Sequence, residues 1–262
     1  MCRDDRSITR RSSPGPLAFA VEGLCRPGYW QAVCVQGLVC HGSGAGVIGR
    51  RGILLAGAGL ASRRAVAAAL PVPPGSALGF VLIRHGSDIG RHTLAFEQAG
   101  DTLTVNVAVD ALVTFLSIPI VRYRHRVVET WQGGTLVGLA GQTDKNGQHE
   151  WVKAQRTAEG LVVTGSRTAR YVAPAAAIGT SYWNKRMLDG PMISLEDGVL
   201  LAPKVAARQP EPIRLASGRT ITADHYNLSG AFAVDVWYDR ADMWASLAFG
   251  AADGSSVHYE RL

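Results

Sequence analysis

The stretch DTLTVNVAVDALVTFL, residues 101–116, alternates apolar and polar side chains with a period of two. One face carries Leu103, Val105, Val107, Val109, Ala111, Val113 and Phe115, and the other carries Thr102, Thr104, Asn106, Ala108 and Asp110. A period of two is the signature of a strand with one buried face. An average strand has about 5–6 residues, so this one is unusually long. Long strands of this kind belong to strongly twisted, curved sheets or barrel walls.

Turn sequences divide the chain on both sides of this strand. They include HGSD (85–88), QGG (132–134), DKNG (144–147), LSG (228–230) and ADGS (252–255). Gly, Asn and Asp tolerate the positive φ of hairpin turns. Short strands joined at this spacing predict a mainly all-β fold, a curved antiparallel meander that forms a half-barrel or open barrel. We expect a single β-rich domain over residues 74–262.

The next stretch, VRYRHRVVETW (121–131), places three arginines on one strand face. Arg122, Arg124 and Arg126 alternate with a second face that carries Tyr123, His125, Val127, Glu129 and Trp131. The arginine row is interpreted as a solvated outer face. The alternative is a stripe that binds an anionic ligand.

One segment interrupts the strand pattern, VAPAAAIGTSYWNKRMLDG (172–190). Pro174 and the alanines after it favour a short helical insertion near residues 174–184, ending near Gly179. This insertion is the best candidate for a lid or plug across an open sheet.

Charge is distributed unevenly along the chain. Residues 1–76 carry nine Arg and three acidic residues, whereas residues 77–262 carry eighteen of each sign. A nucleic-acid binder needs its cations on the folded domain. The balanced body therefore argues against nucleic acid as a partner.

All four cysteines, Cys2, Cys25, Cys34 and Cys40, lie in the first forty residues. The body consequently has no disulfide framework and no thiolate metal site. The cysteine spacings match no zinc knuckle, and no phosphate loop or dinucleotide fingerprint occurs. We therefore predict neither a metal nor a cofactor.

Residues 49–69 have the pattern of a cleaved export signal. Arg50 and Arg51 precede the apolar run GILLAGAGLA (52–61), and alanines follow at a plausible cleavage site. The pattern resembles a twin-arginine signal, although the polar and aromatic consensus around the arginines is missing. The run is much shorter than the roughly 20 residues of a spanning helix, so no stable membrane anchor is expected. The signal predicts recognition by the export machinery and a periplasmic location.

Residues 1–48 show no steady period and are expected to be a disordered leader. A signal normally begins close to its arginines, so a translation start farther downstream, for example at Val47, would explain the long leader. The alternative is a genuine extended basic region.

The body contains two sequences rich in aromatic and polar residues, SYWN (181–184) and DVWYD (235–239). Their candidate ligand-binding residues are Tyr182, Trp183, Asn184, Asp235, Trp237 and Asp239. The alternative makes them anchors of the fold, because buried Trp and Tyr need polar partners. Since neighbours on a strand face opposite sides, we expect Tyr238 in the apolar layer and Trp237 at a more polar surface.

Catalytic signals are weak. The sequence GTSYW (179–183) lacks the second Gly of a nucleophile elbow. Asp235 and Asp239 would stand about 13 Å apart on one strand face, whereas glycosidase carboxylates stand about 5–9.5 Å apart. No catalytic residue is assigned, but either Asp could work with a His from a neighbouring strand.

Several short motifs together resemble a known family. GSDIGRHTLAF (86–96), Tyr123-x-His125, Glu129-x-Trp131, SYWN, DVWYD and the closing Tyr259-Glu260-Arg261 are similar to an uncharacterised, exported proteobacterial family defined by a domain of unknown function. The resemblance covers about residues 74–262. It implies an antiparallel half-barrel and an exported protein, and it implies no activity. By a broader analogy of shape, half-barrels of the envelope often hold apolar molecules.

These patterns favour a periplasmic protein whose sheet curls around an apolar concave face. Its predicted role is to bind or carry an apolar or amphipathic ligand, or to scaffold an envelope partner. A hydrolase that uses Asp235 or Asp239 is the alternative from another class. A purely structural envelope protein is the third.

Overall fold

The computed structural model describes residues 70–115, 118–251 and 253–262. The predicted leader (1–48), the predicted signal (49–69) and the arginine pair Arg50 and Arg51 lie outside the described residues. No helix in the described part of the chain is long and apolar enough to cross a membrane.

Short turns connect most of the strands in these residues. The strands are β1 (Ala77–Arg84), β2 (Ser87–Ala99), β3 (Thr102–Phe115), β4 (Ile118–Gln132), β5 (Thr135–Lys145), β6 (Gln148–Thr157), β7 (Gly160–Gly165), β8 (Thr168–Ala173), β9 (Ile178–Gly179), β10 (Met192–Ile193), β11 (Leu200–Leu201), β12 (Lys204–Ala207), β13 (Glu211–Arg214), β14 (Thr220–Ser229), β15 (Val234–Tyr238), β16 (Trp244–Gly250) and β17 (Ser256–Arg261). The turn between β5 and β6 shows why the sequence folds this way. Asn146 and Gly147 both take a positive φ there, 54° and 83°, as a tight hairpin requires.

Fourteen strands form one open antiparallel sheet in the order β12-β14-β15-β16-β17-β1-β2-β3-β4-β5-β6-β7-β8, with β13 also paired to β14. Sequence neighbours pair along most of this path. The exception at its centre is the ladder between β1 and β17, which joins Phe80 to Arg261. The predicted fold class, a curved antiparallel meander that does not close into a barrel, is confirmed.

The long strand β3 has the two faces that its alternation predicts. Its Leu103, Val105, Val107 and Val109 are buried. We call the side of the sheet that carries these residues the core face and the other side the outer face. The arginines of β4 (Arg122, Arg124 and Arg126) lie exposed on the outer face, as both a solvated surface and an anion-binding stripe require.

The core face is covered by residues 174–201, which we call the plug. Its Ile178, Trp183, Met187, Ile193 and Leu195 are at most 5% exposed and pack with the strand residues in one hydrophobic cluster. The strands β9, β10 and β11 form a separate small sheet within the plug.

The helix of the plug lies slightly later than the alanine pattern suggests. A 3-10 helix spans Lys185–Asp189, and the side chain of Asn184 caps it by accepting a hydrogen bond from the Arg186 amide at 3.2 Å. Asn is a favoured N-cap residue. Pro174 instead starts a turn, in which the Ala177 amide donates to the Pro174 carbonyl at 2.9 Å. The chain then extends, because Ile178 and Gly179 pair with β10.

The plug corrects one expectation about the binding surface. The sequence suggests that an apolar concave face would be free to hold a ligand. In the structure, apolar side chains of the plug occupy the core face. A ligand therefore cannot occupy the part of the core face that the plug covers.

Candidate functional site

The first group of sequence-predicted site residues, Tyr182, Trp183 and Asn184, belongs to the interior. Trp183 is fully buried and Asn184 is 2% exposed. Tyr182 has a φ of 63°, a left-handed conformation that costs free energy in a residue with a side chain. Its carbonyl accepts a hydrogen bond from the Tyr238 hydroxyl at 2.8 Å. Tyr182 and Trp183 thus connect the plug to the sheet, and Asn184 caps the 3-10 helix within the plug.

A buried carboxyl group on β4 completes this contact. Oε2 of Glu129 accepts hydrogen bonds from the indole Nε1 of Trp131 and of Trp183, each at 3.0 Å. Glu129 is fully buried. Burial raises the pKa of its carboxyl group, and the indole hydrogen bonds act in the opposite direction. Glu129 thus links strand β4 to the plug through the indole groups of Trp131 and Trp183.

The second group is Asp235 and Trp237. Both lie on β15, on the face opposite to that of the buried Tyr238. Oδ1 of Asp235 is 2.8 Å from Nε2 of His225, and the Trp237 ring stacks on the His225 ring at 4.6 Å between centroids. Trp237 Nε1 donates to Oε1 of Glu211 at 2.8 Å, and the same oxygen is 3.2 Å from Nδ1 of His225. The structure therefore places a histidine from the neighbouring strand beside Asp235. Both of its ring nitrogens face carboxylates.

Asp239 stands apart from both groups. Its Oδ2 accepts a hydrogen bond from Arg261 at 2.9 Å, and its Oδ1 accepts from the Ala241 and Met243 amides of the following turn. The two aspartates of DVWYD share no partner. The six candidate residues divide among three places and do not form one site. The expected facing of β15 is confirmed, since Tyr238 is fully buried and Trp237 is partly exposed.

Two histidines lie in the interior of the described sheet. His92 of β2 and His125 of β4 both pair with Val109 of β3, so the three residues form one cross-strand row on the core face. His125 Nδ1 is 2.8 Å from the Thr143 hydroxyl, whereas neither ring nitrogen of His92 has a hydrogen-bond partner. Burial lowers the pKa of His92 to about 3 and that of His125 to about 4. Both are therefore neutral near pH 7.

The outer face carries an open groove of about 930 Å³. We call it the outer groove. Its outward-facing residues come from β1 to β5 and are Ala77, Gly79, Thr93, Ala95, Asn106, Ala108, Arg126, Val128, Ala140 and Gln142, joined by Leu262. Ligand sites are typically mostly apolar concavities of about 300–1,000 Å³ with a few polar groups. The outer groove has that size and composition.

The groove follows from the strand register. One row of paired residues on the outer face runs Ala77, Ala95, Asn106, Val128, Ala140 and Lys153, and the next runs Gly79, Thr93, Ala108, Arg126, Gln142 and Trp151. Ala95, Ala108 and Ala140 contribute only a methyl group each. Small residues on β1 to β3 (Ala77, Gly79, Ala95 and Ala108) leave that part of the sheet surface hollow, and Ala140 is the one small residue among the longer side chains that these rows carry on β4 to β6.

A second concavity of about 610 Å³ adjoins the first. We call it the polar groove. It shares Arg126, Ala140 and Gln142 with the outer groove. Its other outward-facing side chains are Arg124, Asp144, His149, Trp151, Lys153 and Thr164. The outer groove and the polar groove therefore meet on the outer face of the sheet.

Sequence reasoning missed this surface and the role of Glu129. The alternation of β3 assigns Ala108 to the outer face, but one strand gives no sign that Ala95 of β2 and Ala140 of β5 line the same groove. Only the register brings the three alanines together. Glu129 belongs to the motif Glu129-x-Trp131, yet its contact with Trp183 spans 54 residues of sequence.

The chain belongs to the family described as a domain of unknown function, DUF6134, whose model matches residues 80–262. None of the curated proteins compared with the chain matches it. Within the described residues, no group of three or more His, Cys, Asp or Glu side chains could hold a metal ion. The family description names no activity.

Proposed function

We propose that this protein is exported to the periplasm and binds an apolar or amphipathic ligand in the outer groove. The observation that carries the proposal is the presence of small outward-facing residues in two adjacent cross-strand rows of the sheet. A solvated outer face normally carries polar or charged side chains, as β4 does at Arg122 and Arg124. Ala95, Ala108 and Ala140 instead keep an apolar floor open.

The export half of the proposal rests on the sequence. Arg50 and Arg51, the short apolar run after them and the alanines that follow support recognition by the export machinery. A reporter fused to residues 47–75 is expected to reach the periplasm.

The binding half is tested by filling the groove. Ala108→Trp places an indole on the floor and is expected to weaken binding of a dodecyl-chain probe by about tenfold or more, a change of at least about 1.4 kcal/mol. Stability should change little, because substitutions on a surface are usually within about 0.5 kcal/mol. Isothermal calorimetry measures the binding, and native mass spectrometry of protein from periplasm shows whether a retained molecule disappears.

Ala169→Trp is the matched control, because Ala169 is exposed on β8 and lies outside the outer groove. This variant is expected to bind as the wild type does. Equal binding by the wild type and Ala108→Trp would refute the groove as the site. A wild type that binds no amphiphile would favour a structural role or a scaffold for an envelope partner.

One observation favours the hydrolase alternative, the 2.8 Å contact between Asp235 and His225. A general base needs a ring nitrogen that is free to take a proton from its substrate. Glu211 and Asp235 occupy both nitrogens of His225. The arrangement therefore supports catalysis less well than the groove supports binding.

A further inference from the structure

The outer groove ends at a polar boundary on β5 and β6. Arg126, Ala140 and Gln142 line both concavities, so a molecule lying in the outer groove has one end beside the polar groove. In the cross-strand row through Ala140, the next residue is Lys153. The row thus passes from apolar side chains to a cation within one strand spacing.

Most charged groups near this boundary already have partners. Arg126 donates to Oδ2 of Asp110 at 2.6 Å, and Arg124 is 3.5 Å from the same carboxylate. Glu150 accepts from Arg167 at 2.7 Å. Each of these groups therefore has a partner, although Arg124 and Arg126 share the one carboxylate of Asp110.

Three side chains at the boundary have no such partner. Among the described residues, the side chains of Gln142, Trp151 and Lys153 make no hydrogen bond or ion pair. All three are exposed on the outer face, and Trp151 is 42% exposed. An ammonium group, an indole N–H and an amide N–H₂ are all hydrogen-bond donors. They form a cluster of hydrogen-bond donors without protein partners beside the outer groove.

We infer that the ligand is a single-chain amphiphile with an acidic head group, taken up as a free monomer. The inference rests on the proposed function. The alkyl chain lies along the apolar floor, and the carboxylate lies at Lys153, with Gln142 and Trp151 as further donors. Charge complementarity selects the head group, because Lys153 is a cation without a carboxylate partner. Burial of the chain supplies the affinity.

The experiment compares laurate with dodecanol, two probes with the same alkyl chain. Calorimetric titrations are made at about pH 8, where the carboxylic acid of the probe is ionised. Lys153→Gln is expected to weaken laurate binding about threefold to fivefold, as loss of one exposed ion pair would. Dodecanol binding should not change. In about 1 M salt the Debye length is about 3 Å, and the difference between variant and wild type should shrink.

Lys204→Gln is the matched control, since Lys204 is an exposed lysine on β12, away from both grooves. It should bind both probes as the wild type does. If Lys153→Gln leaves laurate binding unchanged, or weakens both probes equally, the head-group inference is wrong. The groove itself still stands in that case, provided that Ala108→Trp weakens both probes. If neither probe binds the wild type, the proposed function fails as well. Lys153-dependent binding to vesicles of anionic lipid without binding of monomeric laurate would overturn the assignment to a free monomer.

Discussion

Glu129 shows how one side chain can connect two parts of the fold. It lies on β4, and its Oε2 accepts two indole N–H groups, one from its own strand and one from the plug. A buried N–H left without a partner costs about 1–3 kcal/mol. The two tryptophans therefore depend on this acceptor.

Replacing Glu129 with Ala should lower the free energy of unfolding by about 2–5 kcal/mol, because two buried donors lose their acceptor. Glu129→Gln keeps one oxygen in place and removes the possibility of charge. Since burial raises the pKa of this carboxyl group, the neutral amide should cost less than half as much as Ala. Urea denaturation measures both values. A Gln variant as unstable as the Ala variant would mean that the fold needs the ionised carboxylate.

At this scale, the sequence predicts some positions and misses others. The opposite facing of Trp237 and Tyr238 follows from the geometry of a strand and is confirmed. The partner of Glu129 cannot be read from its own strand, because the register of the plug decides which tryptophan arrives there. The alternation of a strand can be read from neighbouring residues, whereas the packing of the plug depends on residues that are distant in the sequence.

At the scale of structural elements, the plug packs against the core face and has a small sheet of its own. Gly165 of β7 lies so close to it that a Cβ there would stand 2.0 Å from the Asp197 carbonyl oxygen. The plug backbone therefore rests directly on the sheet at this point. Its side chains, above all Trp183, supply the contacts elsewhere.

Replacing Trp183 or Trp237 with Ala should distinguish a residue of the interior from a residue of the surface by the loss of stability. Trp183→Ala empties a fully buried site and is expected to cost about 3–5 kcal/mol. Trp237→Ala removes a partly exposed ring with a hydrogen bond to Glu211 and should cost less than about 2 kcal/mol. Thermal denaturation measures the difference. Neither variant should lose a bound amphiphile in its folded fraction, because both residues lie outside the grooves. Loss of the ligand from stable Trp237→Ala would place the site on β15 instead.

The sequence predicts the elements well where hairpins repeat. The turns, the long strand β3 and the interruption near residue 174 all come from local patterns. The helix position was less exact, since Ile178 and Gly179 are extended by pairing with a strand that follows them by 14 residues. The outer groove could not be predicted, because it depends on the register of five strands at once.

The molecule as a whole should respond to acid through its buried histidines. The pKa of His92 is lowered to about 3 and that of His125 to about 4, against about 6.5 in an unfolded chain. Below pH 6.5 the unfolded chain therefore binds protons that the folded protein does not. The stability present above that pH is lost as the pH falls, by about 1.4 kcal/mol per pH unit for each histidine. Glu129 has the opposite sign, since a raised carboxyl pKa makes stability fall as the pH rises above about 4.5.

His92→Phe should remove one histidine from this balance. Between pH 7 and pH 5, its free energy of unfolding should fall by about 2 kcal/mol less than that of the wild type. Phe96→Leu is the control, because it alters the same core without removing a titratable group. Denaturant unfolding at several pH values measures the slopes. A slope in His92→Phe equal to the wild-type slope would contradict the prediction.

The ladder between β1 and β17 has a consequence for the order of folding during synthesis. Strands β1 to β8 can pair one after another as they emerge, since each partner is the next hairpin and short loops close cheaply. The pairing of Phe80 with Arg261 has to wait until the last strand has been made. Until then β1 has an unpaired edge, which is the kind of surface that invites wrong pairing with another chain. A ribosome stalled shortly before residue 256 would leave every strand except β17 made and the edge of β1 still unpaired, and such a nascent chain would need a chaperone to keep that edge covered.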